Sequence, residues 1–246
     1  MTDHTGPAVA FKHVYKAFGE KHVLSNVSFS VEPGEALCLL GRSGTGKSVT
    51  LKLIVSLLKP DSGEVWIEHD NVGILKEEQL SRARRKLGYL FQDAALFDSL
   101  TLYENLALPL TRLTSKSADE IDAAVDRVLS EVGLVADKNK MPAELSGGMR
   151  KRAGLARALV LEPKILLADE PSSGLDRITA SEIDELLLRQ KKERGTALIV
   201  VTHDVHGARR IADRIAVLDK GDLVACGPVA DVERSENEVA RRLIWE

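Results

Sequence analysis

Only two cysteines, Cys38 and Cys226, occur in the 246 residues. They stand far apart, each in an apolar stretch, and offer neither a disulfide framework nor zinc-ligand spacing. Buried free thiols in a reducing compartment are the expectation. Positive charge is not in excess either: 34 Lys and Arg against 37 Asp and Glu give a net charge of −3. That removes any global electrostatic case for nucleic acid as a partner. No apolar run approaches the roughly 20 residues that cross a bilayer. Residues 1–7 have neither the basic start nor the apolar core of a signal peptide. A cytoplasmic location follows as the expectation, unless a partner holds the chain elsewhere. Aromatic residues make up only 4%, so an aromatic in a polar turn asks for a reason. The remainder is ordinary for a globular protein, 44% hydrophobic and 29% charged, of one domain or one domain with an inserted lobe.

Against these absences stands one dense stretch, Gly41-Arg42-Ser43-Gly44-Thr45-Gly46-Lys47-Ser48. It reads G-x-x-x-x-G-K-S, the phosphate-binding loop pattern. Its flanks agree. Ala36 to Leu40 is an apolar run short enough for a buried strand, and Leu51, Ile54, Val55 and Leu58 recur at helical spacing between Val49 and Leu58. Strand, glycine-rich loop and helix N-terminus together make an anion site, because backbone N–H groups converge and the helix adds its positive end. Lys47 then reaches the outer phosphates, and the Ser48 hydroxyl can ligate Mg²⁺. Nucleotide binding is the reading.

Along the rest of the chain, Ala8 to Val14 and Val27 to Val31 read as strands, and Ala17 to Lys21 as a turn that presents Phe18. Phe18 is a candidate platform for adenine or an edge-packing residue, with Tyr15 as its rival. A turn at Asp61-Ser62-Gly63 leads to a strand over Glu64 to Glu68, and a further strand, Leu87 to Phe91, ends at Gln92. From residue 93 to 161 the texture becomes that of an inserted helical lobe. Ser117 and Glu120 form a capping box for a helix that Gly133 closes. Leu145-Ser146-Gly147-Gly148-Met149 precedes another helix, which places Ser146, Gly147 and Gly148 at a helix N-terminus with no strand feeding it. This is a second anion site. Alternation of strands and helices then resumes. Ile165 to Ala168 runs into Asp169 and Glu170, a loop reaches Asp176, and Ala197 to Val201 runs into Thr202-His203-Asp204. A hairpin about Lys220-Gly221 and one helix from Val229 to Trp245 close the chain.

Such alternation implies an α/β fold with a mainly parallel sheet and antiparallel strands at the N-terminus, and ligands bind at the carboxyl ends of such strands. Ser48, Gln92, Asp169, Glu170 and His203 all fall at or just after those ends. Asp169 suits an outer contact to Mg²⁺, Glu170 can polarise an attacking water, and His203 can orient water and γ-phosphate. Phosphoryl transfer asks for this kind of positioning and charge neutralisation rather than covalent work.

On these motifs the chain resembles, over essentially its whole length, the ATPase subunits of ABC transporters. Gly41 to Ser48 matches the family's Walker A, Gln92 its Q-loop, Leu145 to Met149 its signature and Lys164 to Asp169 its Walker B. Glu170 matches the catalytic glutamate, Ser173 to Asp176 the D-loop, and His203 the switch histidine. Phe18 falls where the family places its adenine-stacking aromatic. The resemblance implies a P-loop NTPase core over 1–92 and 162–246 with a helical subdomain over 93–161. It implies ATP and Mg²⁺ as cofactors. ATP would be held by Phe18, Gly41, Arg42, Ser43, Gly44, Thr45, Gly46, Lys47, Ser48, Val49, Gln92, Ser146, Gly147, Gly148 and Asp176. Catalysis would fall to Glu170, His203 and Lys47, and the metal to Ser48, Gln92 and Asp169.

Partners follow from the same resemblance: a second copy in a head-to-tail dimer that sandwiches ATP, and an integral membrane permease that keeps the chain at the cytoplasmic face of the inner membrane. Two departures stand out, Met149 where most members have glutamine and Arg177 where proline is common. The LSGGM form, with Leu96 to Thr101 and Glu104-Asn105, is similar to the Mla/Mce-type ATPases, which energise phospholipid and related transport at the bacterial envelope. An Mce-type substrate-binding protein is then a further partner. A soluble ATPase of the same superfamily, such as one for iron–sulfur assembly, or a transporter ATPase for a different substrate, is the alternative. Ala94, Ala95, Leu96, Phe97 and Leu100 are expected as an exposed apolar run against the permease, with Leu243, Ile244 and Trp245 as a further contact.

Overall fold

A strand buried on both faces must present apolar side chains nearly throughout, and three strands of this chain do so up to their carboxyl ends. The computed structural model describes residues 6–245. In chain order its elements are β1 (Val9–Phe18), β2 (Lys21–Val31), β3 (Ala36–Leu40), α1 (Lys47–Ile54), β4 (Ser62–Ile67), β5 (Asp70–Asn71), α2 (Glu77–Arg84) and β6 (Leu87–Leu90). Then come α3 (Leu102–Leu113), α4 (Ala118–Glu131), two single 3₁₀ turns and α5 (Gly147–Leu159). The chain closes with β7 (Ile165–Asp169), α6 (Arg177–Arg194), β8 (Ala197–Thr202), α7 (Val205–Ile211), β9 (Arg214–Asp219), β10 (Asp222–Pro228), α8 (Val229–Glu233) and α9 (Glu238–Trp245).

Two sheets result. One is four-stranded and antiparallel, in the order β2-β1-β4-β5; the other is six-stranded, in the order β10-β9-β3-β8-β7-β6. Pairing in the second is parallel from β9 to β6, and β10 alone is antiparallel. The β9–β10 hairpin turns through Lys220 and Gly221, both at positive φ, as a tight primed turn requires. β3, β7 and β8 are buried throughout, and the period of two divides their side chains between the faces. Leu37, Leu39, Leu167, Ile199 and Val201 pack with α1 and the antiparallel sheet. Cys38, Leu40, Leu166, Leu198 and Val200 pack on the helical side. Cys38 is fully buried, and burial pushes its thiol pKa well above the ordinary value.

In the chain between β6 and β7, α3, α4 and α5 bury Leu106, Leu110, Val125, Val128, Leu129 and Leu155 against one another. Capping boxes at Thr101–Glu104 and Ser117–Glu120 start α3 and α4, each cap worth about 1 kcal/mol. Among the described residues no helix is long and apolar enough to cross a membrane.

Several local expectations change. β1 runs straight through residues 15–18, so Phe18 ends a strand and only Gly19-Glu20 turns. α1 stops at Ile54, four residues before Leu58. The single C-terminal helix is two, because Asn237 accepts from the N–H of Ala240 and caps a fresh start after residue 234. Ile244 is buried in the core and Leu243 half-buried; of that trio only Trp245 is exposed, against the Arg209 guanidinium. Cys226 is exposed beside Arg214 rather than buried, since β10 is an edge strand with an open face. Ala94 is buried and Leu96 half-buried; Ala95 and Phe97 carry the exposed part of their run.

Candidate nucleotide-binding and hydrolysis site

Because β3 ends at Leu40 and α1 begins at Lys47, the intervening loop sits at the carboxyl edge of the parallel sheet. Gly46 has φ 106, and a Cβ there would come within 2.7 Å of the Val23 carbonyl. Only glycine fits. No side chain caps α1, so its first N–H groups are directed at the space in front of the helix, where an anion would satisfy them. Lys47, 8% exposed, donates to the carbonyls of Gly41 at 2.7 Å and Arg42 at 3.2 Å. Its ammonium lies 4.0 Å from Glu170 Oε1. Burial lowers the Lys47 pKa, while Glu170 and Asp169 push it back. The loop thus parks a cation where the outer oxygens of a nucleotide would meet it. A cleft of about 700 Å³ opens here, lined by Phe18, Ser43, Lys47, Gln92, Glu170 and His203 among others.

The Ser48 hydroxyl donates to Asp169 Oδ1 at 3.1 Å, across the step from α1 to the end of β7. Burial raises the Asp169 pKa, opposed by that hydrogen bond and by Lys47. Ser48, Asp169 and the Gln92 amide are hard oxygen donors of the kind Mg²⁺ prefers, and Mg²⁺ keeps part of its shell as water and phosphate oxygens. No group of three or more His, Cys, Asp or Glu that could hold a metal occurs among the described residues; water and phosphate oxygens would complete the shell of a cation held by Ser48, Asp169 and Gln92.

Glu170 adopts φ 48, in the left-handed region, at a cost on the order of 1–3 kcal/mol. Its surroundings hold it there. Its N–H donates to Val201 O at 2.8 Å, and its carbonyl accepts from Ser173 Oγ at 3.0 Å and Lys151 Nζ at 3.0 Å. Its carboxylate accepts from Thr202 Oγ1 at 3.3 Å and lies 2.8 Å from His203 Nδ1. The strained turn aims the carboxylate into the cleft from the strand end.

Phe18 is 48% exposed at the rim of the cleft, with the Lys16 ammonium 5.4 Å from its ring centroid. Lys16 is anchored to Asp61 at 2.7 Å, and Asp61 also accepts from the Ala17 N–H at 2.6 Å. Tyr15 does not line the cleft. Phe18→Ala is expected to weaken ATP binding by about 1–3 kcal/mol, the range for stacking a base, and Phe18→Tyr to change it little. Fluorescence titration with labelled ATP checks this; a loss on Tyr15→Ala with Phe18→Ala silent would reverse the assignment.

Not every candidate converges. Gly41 and Thr45 are buried behind the loop, Thr45 Oγ1 donating to Arg42 O at 2.9 Å. Ser146, Gly147, Gly148 and Asp176 lie outside this cleft. They sit together elsewhere: Ser146 caps α5, Asp176 caps α6, and a Cβ on Gly148 would come within 2.6 Å of Thr179 on α6. Met149 packs against the core, and Arg177 lines the space beside His203 and His206. Three residues at the site carry no sequence motif, among them Val23, which lines the cleft. Lys21 lines the cleft beside Phe18. Lys151, 7% exposed, reaches the Glu170 and Gln92 carbonyls; only its position one turn past the second anion site could have flagged it.

A parallel sheet with a glycine-rich loop feeding a helix, and a serine–aspartate pair beside a poised glutamate, defines a P-loop nucleotide triphosphatase. Residues 24–173 match the family described as ABC transporter. The chain is 41% identical over 97% of its length, and 69% of the other, to the probable ribonucleotide transport ATP-binding protein mkl of Mycobacterium leprae. It is 39% identical over 94% of its length to the chloroplastic protein trigalactosyldiacylglycerol 3 of Arabidopsis thaliana, covering 71% of that protein. Its fold matches the ATP-binding cassette MJ0796, a dimeric post-hydrolysis structure bound to ADP and Pi, with TM-score 0.83, 36% identity, and 90% and 98% of the two chains covered. The chain belongs to the ABC transporter family, as an ATP-binding subunit that hydrolyses ATP.

Proposed function

We propose that this ATPase drives a membrane permease for phospholipid or another hydrophobic substrate, of the Mla/Mce type. One observation carries the permease contact: an apolar groove of about 470 Å³ between the helical lobe and the core, lined by Leu87, Tyr89, Phe91, Phe97, Leu108 and Pro109 among others. Phe97 is 52% exposed on a loop that is pinned from below. The buried Asn105 accepts from the Phe97 N–H at 2.8 Å and donates to the carbonyls of Phe97, Leu100 and Thr101 at 2.9–3.1 Å. Apolar side chains held rigidly in the open mark an interaction surface, and a groove of this kind takes a helix. Phe91 belongs to the groove and the next residue, Gln92, to the nucleotide cleft, so a helix seated here would be felt at the phosphates.

The chain would act as a single domain, core 1–92 and 162–246 with lobe 93–161, at the cytoplasmic face of the inner membrane through its permease. Two copies would pair head to tail, each supplying Ser146 to Gly148 to the other's nucleotide. Ser48, Asp169 and Gln92 would hold Mg²⁺, which when bound neutralises phosphate charge. Lys47 and the helix N-termini would bind phosphate oxygens, Glu170 would polarise the attacking water and His203 would orient it. For the lipid cargo the support is the LSGGM signature with Leu96 to Asn105, and a relative named for a galactolipid. The mycobacterial relative is named for ribonucleotides, so cargo must be measured. An Mce-type binding protein would complete the assembly. The test is co-expression with candidate permeases, copurification and lipid analysis. Association with a lipid permease, lost in Phe97→Asp while ATP binding survives, is expected; stable association with a soluble assembly scaffold instead would sink the reading.

A further inference from the structure

A lysine on a helix belongs at the surface with its ammonium in water, and Lys151 on α5 does the opposite. It is 7% exposed, and its three N–H donors meet three acceptors. These are the carbonyl of Gln92, the carbonyl of Glu170 at 3.0 Å and Ser173 Oγ at 3.3 Å. The acceptors come from two separate loops, one 59 residues before Lys151 and one that supplies both others, 19 and 22 residues after it. Lysine suits the place because it offers three donors and no acceptor. Among the described residues no carboxylate pairs with the ammonium at salt-bridge distance; Asp93, Glu170 and Asp169 act on it only at longer range. The buried charge is therefore compensated mainly by these fixed dipoles.

We propose that Lys151 is a positioning residue for ATP hydrolysis, fastening the Gln92 loop and the strained Glu170 backbone to the helix that begins at Ser146. The assignment rests on Glu170 as the group that polarises the attacking water. Glu170 keeps its left-handed φ only while its carbonyl and N–H are held, and Lys151 and Ser173 supply the carbonyl side. Because Lys151 lies one turn into α5, any shift of that helix, by a permease on the lobe or a phosphate at its N-terminus, moves the Glu170 carboxylate. Lobe and water-activating group become one mechanical unit.

The test uses the full chain, with steady-state and single-turnover ATPase assays, ATP binding and thermal denaturation. The variants are Lys151→Met, Lys151→Gln, Glu170→Gln and the double Glu170→Gln/Lys151→Met. Misplacing a reacting group by about 1 Å costs on the order of 10²-fold, so Lys151→Met should lower kcat by about 10–10²-fold. Its KM and ATP affinity should stay within about twofold. Lys151→Gln, which keeps two donors, should fall between. In the Glu170→Gln background Lys151→Met should cost nothing further, because the group it positions is gone. Turnover near wild type in Lys151→Met would overturn the assignment. So would equal, multiplicative losses with and without Glu170, or a KM that rises as kcat falls together with a lowered melting midpoint. Normal turnover in Glu170→Gln alone would instead overturn the role of Glu170 itself.

Discussion

Replacing Glu170 with glutamine is expected to leave ATP binding intact and cut hydrolysis by roughly 10²–10⁴-fold, the range for losing a positioned general base. Glutamine preserves size and the contacts with Thr202 and His203, so the backbone turn at φ 48 should persist. What disappears is the negative charge proposed to polarise the attacking water. Lys47 also loses its charged neighbour at 4.0 Å, which leaves the ammonium more available to phosphate and should hold ATP at least as tightly. Single-turnover hydrolysis and equilibrium binding separate the two effects. Near-normal hydrolysis would remove Glu170 from its role.

The second large effect is expected at a residue that no nucleotide in the same chain's cleft would touch. Ser146 caps α5, its hydroxyl accepting from the Met149 N–H at 3.3 Å, and does not line the cleft that holds Lys47 and Glu170. Ser146→Arg fills the helix N-terminus with a long side chain, at a capping cost of about 0.5–2 kcal/mol. If that terminus grips the γ-phosphate on a second copy, turnover should fall by roughly 10²–10³-fold, as on losing an electrostatic donor to the transition state. ATP affinity of the monomer should be nearly unchanged. An equal loss of monomer affinity would show that the terminus acts within its own chain.

The glycine-rich loop, Gln92, Glu170 and His203 were legible at the cleft because each follows the end of a parallel strand, and such ends point one way. The loop of Gly41 to Ser48, Asp169 after an all-apolar run, and His203 after another needed only that rule. Lys151 was not legible, since a basic residue in the helix-favouring run after Met149 reads as a solvated face and its three acceptors come from distant loops. α3 was missed although Thr101 and Glu104 announce its capping box; Pro109 inside it breaks the usual helical signal. The burial of Ile244 was invisible because it depends on α9 folding back on the core after the break near residue 235. Cys226 misled for a related reason: alternation shows which residues share a face, while an edge position decides whether that face is covered.

One chain's cleft is proposed as half a site, completed by the α5 terminus of another. Light scattering on Glu170→Gln, with and without MgATP, tests it most directly. The expected result is monomer without nucleotide and dimer with ATP, because hydrolysis no longer dissolves the sandwich, and monomer again when Ser146→Arg is added. A Glu170→Gln chain that binds ATP at full occupancy and stays monomeric at every concentration would contradict it.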